Sequence, residues 1–364
     1  MEERGFKIFA PEDEPTKDSE VFYNKEMLHN RDLSEIAGRV FKERVDIEHF
    51  TTLDGMSASG IRGFRYADFS ENLFLNDTNP EAVKSIEEGL EVNNIEAEVF
   101  SKNANILMSE KRNRFHFIDI DPFGSFLEFL DSTVRASNHT SFVGLSATDN
   151  SVTSGSYRKA CMRRYNSTPL KNSFMHETGL RIYIKEVFQN YARFDMCFDP
   201  KICWHERHYS RVMGRVTESK KRTNRALDNI GYLSFCKECR WRKLERTQEC
   251  GNCGNTELKI AGPLWTGKLS DQRFTEDMLD EMPEDWENSY EMLEKIHAEA
   301  EIMTPFYDLH ELCSIMGIQV PKREKVIEAI RDKGYPVSRT HFSPTGFRTD
   351  APVEDIKNII RSRG

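Results

Sequence analysis

The chain has 364 residues with 51 Lys+Arg against 60 Asp+Glu, a formal net charge of −9, and at roughly 150 residues per domain it fits two domains with a small insert. A hydrophobic fraction of 38% with 24 Phe excludes wholesale disorder, and no run approaches the roughly 18 apolar residues of a membrane span. The charged stretch from Met1 to Phe9 does not read as a secretory signal, and eight Cys without one indicate a reducing compartment, expected to be the cytoplasm.

After an acidic, proline-containing lead from Pro11 to Pro15, the pattern becomes β/α. Phe50 to Leu53 predicts a strand ending at Asp54, with a small-residue turn and a helix from Ile61. Leu73 to Leu75 predicts a second strand ending at Asn76-Asp77. A helix follows from Pro80 to Val92, its proline in the first turn, where a missing N–H costs nothing. Phe115 to Ile120 and Ser141 to Ser146 predict a third and a fourth strand. Short apolar runs alternating with helices imply an α/β fold around a parallel, doubly wound sheet. A Cys-rich insert spans about Tyr232 to Ile260, and Met278 to Ile302 predicts one acidic helix. Helices over Leu309 to Met316 and Lys322 to Lys333, an extended Val337 to Phe342 and a turn at Ser343-Pro344-Thr345-Gly346 give a winged-helix-like order. The expected division is 1–230, 231–262 and 263–364.

Charge is segregated. Lys201 to Arg246 carries thirteen Lys/Arg against five acids, a net of +8, and Asp271 to Glu301 carries two against twelve, a net of −10. Pro321 to Arg348 has seven Lys/Arg against three acids, and Arg158-Lys159 with Arg163-Arg164 form a shorter basic knot. A pI near 5.7 argues against a nucleic-acid partner when taken alone. Aromatic and basic residues interleaved at Trp204, His205, Arg207, His208, Tyr209 and Arg211 argue the other way, for an RNA surface.

The loop from Leu53 to Gly63 places glycine and small residues, Gly55 first, between a strand ending in Asp54 and a helix, so that a ligand can approach the backbone. Asp77, 23 residues after Asp54, is placed to accept hydrogen bonds from both hydroxyls of a ribose. Together they indicate a nucleoside-bearing cofactor, and without a Lys-Ser/Thr ending the loop is not a phosphate-binding P-loop. Phe115 to Ile120 then delivers Asp121-Pro122-Phe123-Gly124 to the carboxyl edge of the sheet. Amino methyltransferases carry Asp/Asn/Ser-Pro-Pro-aromatic at this place. An exocyclic base amine is a poor nucleophile because its lone pair is delocalised into the ring; the motif's carboxylate or amide and backbone carbonyl can hold its hydrogens while an aromatic stacks on the base. Here Phe123 takes the place of the second proline.

Cys236-Lys237-Glu238-Cys239 and Cys250-Gly251-Asn252-Cys253, ten residues apart, have the pattern of a closed four-thiolate Zn²⁺ site, structural because no position is left for water. Arg240, Arg242, Lys243 and Arg246 between them predict a positive finger. Cys161, Cys197, Cys203 and Cys313 read as buried small hydrophobes.

The ordered set Val21-Phe22-Tyr23-Asn24, Asn30-Arg31-Asp32, Ala58 to Gly63, Asn76-Asp77, Phe115 to Gly124, Ala147-Thr148-Asp149 and Arg339 to Gly346 resembles the tRNA (guanine-26, N2)-dimethyltransferases, in an archaeal-like form, across nearly the whole chain. The resemblance implies a Rossmann-like class I methyltransferase domain, a zinc-ribbon insert and an α+β winged-helix-like C-terminal domain that engages RNA. It implies S-adenosylmethionine as donor, surrounded by Arg31, Arg62, Asp77 and the Asn103-Ala104 pair with Asp54 and Gly55, an Arg meeting the methionine carboxylate. The family usually shows an acid where Asn103 stands. Asp121 would bind the guanine edge and Phe22 and Phe123 would sandwich the ring. The partner implied is tRNA, with no membrane and no obligate protein partner. Another amino methyltransferase, acting on DNA adenine or protein glutamine, and a zinc-ribbon RNA-binding protein on an inactive scaffold are the alternatives.

Overall fold

The computed structural model describes residues 1–11 and 21–363; the acidic lead, apart from Pro11, lies outside the described residues. Seven strands form the central sheet: β1 (Thr51–Asp54), β2 (Asn72–Asn76), β3 (Glu98–Phe100), β4 (Phe115–Ile120), β5 (Ser137–Ala147), β6 (Met196–Glu206) and β7 (Tyr209–Glu218). Their order is β3-β2-β1-β4-β5-β7-β6. The first five are parallel, as expected for crossovers through helices. The last two depart from a wholly parallel sheet, because only Arg207 and His208 join them and so short a link forces an antiparallel hairpin. The three-residue β3 was not anticipated, which makes Phe115–Ile120 the fourth strand rather than the third.

Successive side chains leave a strand on opposite faces, so each face has its own core. Leu53, Ile118, Ile120, Val143 and Leu145 pack under the helix Met175–Ala192. Phe50, Phe117 and Phe142 face the helix Leu28–Glu43, whose Leu33, Ile36, Ala37, Val40 and Phe41 recur at the spacing of one helical face.

The expected RNA surface at 204–211 is instead core. Trp204 and Arg211 are 0% exposed and His205 and Tyr209 are buried, because helices cover both faces of β6 and β7; only Arg207 and His208 project, at the turn.

The Cys-rich insert is a three-stranded sheet of β8 (Ile230–Phe235), β9 (Arg242–Lys243) and β10 (Lys259–Trp265), with β8 in the middle. Its Leu233, Phe235, Leu264 and Trp265 join the core beneath the helix Met175–Ala192. The expected positive finger is therefore half internal. Arg242 is buried, donates to the Phe306 carbonyl at 2.5 Å and lies 4.1 Å from the Tyr307 ring, while Arg240 pairs with Glu311 at 3.1 Å. Lys243 and Arg246 stay exposed.

The acidic segment forms two helices, Gln272–Glu281 and Glu287–Glu299, not one, since Pro283 forces Met282 out of the helical region to ψ 125. Their Phe274, Met278, Leu293 and Ile296 pack into the core of the helix Leu28–Glu43, while Leu269 and Phe306 join the core under Met175–Ala192, so the 263–364 stretch contributes to both cores of the sheet and to one of its own. That last core begins at Tyr307, around β11 (Tyr307–Asp308), the helices Leu309–Met316 and Arg323–Asp332, β12 (Val337–Arg339), β13 (Gly346–Thr349) and the helix Val353–Arg361. β13 lies between β11 and β12, a winged-helix arrangement. Among the described residues no helix is long and apolar enough to cross a membrane.

Candidate active site at the carboxyl edge of the sheet

Three acids stand where adjacent parallel strands end: Asp54 after β1, Asp77 after β2 and Asp121 after β4. The loop leaving β1 is stitched to both neighbours. Gly55 N–H donates to the Asp119 carbonyl and Ser57 N–H to the Asn76 carbonyl, each at 2.9 Å. The Asp77 carboxylate accepts from Ala58 N–H and Asn79 N–H, both at 2.9 Å. A Cβ on Gly55 would lie 2.5 Å from the Ile120 δ-methyl, so a side chain there would have to displace Ile120. Asn76, which the sequence reading gave no role of its own, is buried and donates to the Gly55 and Lys102 carbonyls at 3.0 Å, tying together the loops after β1, β2 and β3. Asn103 caps the helix Ala104–Glu110, its Oδ1 accepting from Asn105 N–H at 2.9 Å, and Ala104 is buried beside it. The oxygen expected to meet an adenine amine is therefore already a cap, with one lone pair remaining.

Beneath the loop lies a buried ionic network. Asp119 accepts from Tyr66 Oη and, at 2.5 Å, from Arg211 Nη2, with Arg62 Nη1 3.6 Å away. Burial raises its pKa, but Arg211 and then Arg62 outweigh that and hold the carboxyl below the usual range. Arg62 Nη2 pairs with Asp121 Oδ2 at 2.5 Å, and its Nη1 donates to Asn30 Oδ1 at 3.1 Å. Asp54 is fully buried, and its Oδ2 has no partner among the described residues. Burial first and the neighbouring Asp119 second push its pKa up to about 7.

The structure brings Asp121, Arg62, Asp54 and Gly55 together. It places Arg31 differently: its guanidinium is held by Glu3 of an N-terminal hairpin (Nε–Oε1 2.8 Å) and by the Asn24 carbonyl at 3.1 Å. Phe22 and Phe123 do meet, but edge to face, with ring centroids 4.8 Å apart at 87°, so no ring-wide gap separates them. Phe123 is 62% exposed. Its loop is clipped by two 2.7 Å bonds, Gly124 N–H to Thr148 Oγ1 and Thr148 N–H to the Gly124 carbonyl.

A second cluster lies in the insert, where the four Sγ atoms of Cys236, Cys239, Cys250 and Cys253 fall within 4.8 Å of one another. The pairs Cys236–Cys253 and Cys239–Cys250 are 3.7 and 3.4 Å apart. Zinc–thiolate bonds of about 2.3 Å in a tetrahedron put sulfurs about 3.8 Å apart, so the donor set fits Zn²⁺. Asn255 Nδ2 and Asn252 N–H donate to Cys236 and Cys250 at 3.7 and 3.4 Å, supporting thiolates from the outside.

The family model described as N2,N2-dimethylguanosine tRNA methyltransferase matches residues 6–361. The chain belongs to this family. The tRNA (guanine(26)-N(2))-dimethyltransferase of Methanobrevibacter smithii is 35% identical over 377 residues, covering 100% of this chain and 97% of that protein. Its counterpart from Methanothermobacter thermautotrophicus is 36% identical over 352 residues, 93% of this chain and 92% of that one. The solved structure of Trm1 from Pyrococcus horikoshii with S-adenosyl-L-methionine superposes with a TM-score of 0.85 at 30% identity, covering 98% of this chain and 97% of that chain. In this dimethylguanosine methyltransferase family member, Asp119 and Tyr66, which sequence reasoning missed, support the site from beneath together with Arg211, which it had assigned to an RNA surface. The signal for Asp119 was present, since an acid inside the apolar run Phe115 to Ile120 demands a buried partner.

Proposed function

We propose that the chain transfers methyl groups from S-adenosylmethionine to the exocyclic N2 of guanine 26 in tRNA. The observation that carries this reading is one sheet edge holding, side by side, a ribose-type acid, a buried carboxylate with one oxygen unpartnered among the described residues, and an Asp-Pro-Phe-Gly turn.

S-adenosylmethionine, when bound, supplies a methyl group on a sulfonium. Asp77 accepts the ribose hydroxyls, and Asn103 with Ala104 lines the adenine end. Asp54 takes the ammonium, because a buried carboxylate oxygen without a partner is satisfied by a cation. Arg62 stands between the two halves of the site, and Arg31 fixes the segment bearing Phe22 through the Asn24 carbonyl. Asp121 presents Oδ1 to guanine N1–H and N2–H while Arg62 holds Oδ2. It thereby keeps the amine aligned, neutralises the charge that develops on N2 and takes up its proton. Phe22 and Phe123 part to receive a base extruded from the folded tRNA, and stacking worth roughly 1–3 kcal/mol offsets part of that cost. Cys236, Cys239, Cys250 and Cys253 hold a structural Zn²⁺. We place the methyltransferase domain at 1–230, the zinc ribbon at 231–262, the RNA-engaging domain at 263–364, and the enzyme in the cytoplasm.

The test is incubation with unmodified tRNA and donor, followed by mapping the products by mass spectrometry. N2-methylguanosines at position 26 are expected, and their absence overturns the reading. In Asp121→Ala, transfer should be abolished while calorimetry finds donor binding largely intact. Loss of donor binding as well would mean that Asp121 serves the donor and not the base.

A further inference from the structure

From Asn150 to His176 the chain carries five Lys/Arg and no Asp or Glu. Four of the five lie on the helix Arg158–Tyr165. Its inner side buries Cys161 and Tyr165, whereas Arg158, Lys159 and Arg163 are exposed, with Tyr157 62% and Met162 51% exposed beside them. Of the four cations only Arg164 has an acidic partner among the described residues, Asp149 at 3.4 Å. A bare surface of cations and exposed flat or apolar side chains is the chemistry that binds a nucleic-acid strand, through phosphates and stacked bases.

The helix stands at the pocket. Tyr165 Oη bonds to Ser125 Oγ at 2.8 Å and to Asp149 Oδ2 at 2.8 Å. Ser125 is two residues from Phe123, and Thr148, next to Asp149, clips the same turn at Gly124. The basic helix is thus one hydrogen bond from the loop that carries Asp121 and Phe123. Another exposed cationic triplet, Lys220, Lys221 and Arg222, follows the end of β7. There Thr217 pairs with Thr140 near the start of β5, so this triplet lies at the opposite edge of the sheet.

We infer that Tyr157, Arg158, Lys159 and Arg163 grip the tRNA phosphates flanking the extruded base and seat that strand over Phe22 and Phe123. This rests on the tRNA methyltransferase reading and identifies the part of the surface that holds the substrate next to the chemistry. An extruded base is presented on a strand whose neighbouring phosphates must be fixed, and in this acid-free stretch nothing repels them.

The experiment compares the full-length, zinc-loaded enzyme with two triple variants, Arg158→Ala/Lys159→Ala/Arg163→Ala and Lys220→Ala/Lys221→Ala/Arg222→Ala, which lose equal charge. In the first, the Kd for tRNA should rise about tenfold or more and the slope of log Kd against log salt should fall by about 2 to 3, with the KM for donor unchanged. The second should change Kd less than about twofold, and Arg158→Lys/Arg163→Lys should retain most of the affinity. Unchanged tRNA binding in the first triple variant, or an equal loss in both, overturns the inference. Absence of N2-methylguanosine from the wild-type reaction would instead overturn the functional reading, and the binding comparison would still decide the role of the helix.

Discussion

Asp54 is the carboxyl of the site that burial and a like charge push toward neutrality. Its folded pKa of about 7 lies above the ordinary 3.8, so between those values the folded, donor-free chain holds a proton that the unfolded chain has released. Stability from this group therefore falls as pH rises through that window. A cation bound against the carboxylate reverses the preference, and donor binding must expel the proton. Donor affinity is expected to rise about tenfold per pH unit up to about pH 7 and level off above it. In Asp54→Asn the dependence should be flat and the affinity low throughout. Calorimetric titration from about pH 5.5 to about pH 8 checks both. An unchanged pH profile in the variant would assign the proton to another group.

At the scale of elements, the zinc ribbon is the one that cannot stand on its own packing. Its private apolar cluster is three thiols with Trp241 and Leu258 against them, too little to order a segment of this length. Removing the metal with a chelator should abolish amide-exchange protection from Cys236 to Leu258. The loss should extend to Phe306 and Glu311, which Arg242 and Arg240 tie to the insert. Affinity for tRNA should fall further than affinity for donor. Full protection in the chelated protein would show that the insert is held by packing alone. Elements were legible in the sequence wherever an apolar run met a clear stop: β1 at Asp54, β2 at Asn76-Asp77, β4 at Asp121. β3 was not, because Glu98-Val99-Phe100 is too short to show a period. The hairpin of β6 and β7 was misread for a different reason. A charge count along the chain treats Arg211 as surface, but its partner Asp119 lies 92 residues away and neutralises it inside the core. Arg242, 64 residues from Phe306, escaped in the same way. The site's acids could be read locally; the cations that support them are placed by long-range pairing, which no local pattern reveals.

At the scale of the molecule, the cores are joined by charge. Arg348 of the winged unit donates to Glu177 Oε2 at 2.9 Å and to Glu299 Oε2 at 2.8 Å, all three groups being buried. Glu299 also bonds to His341 Nδ1, and His341 Nε2 lies 3.3 Å from His205 N–H. The Arg339 to Gly346 motif thus includes a fastening between domains. Burial works against the Glu299 carboxylate, yet Arg348 and then His341 hold its pKa down to about 2. Its contribution is present above the ordinary 4.5 and is lost as pH falls from there toward about 2. Arg348→Ala, which takes from two buried carboxylates the cation they share, should cost about 3–5 kcal/mol, read as a lowered Tm, and should blunt the acid-induced loss of stability. A Tm close to wild type would mean that apolar contacts alone hold the units together.

If Phe22 and Phe123 receive the base as proposed, their edge-to-face contact makes the protein the resting occupant of its own base pocket. Any guanine that enters must first replace a ring–ring contact worth about 0.5–1.5 kcal/mol, and a free nucleoside has only its own stacking to do so. A base delivered on tRNA brings with it the binding of the whole molecule. The two rings would therefore act as a threshold that discriminates by what the base is attached to.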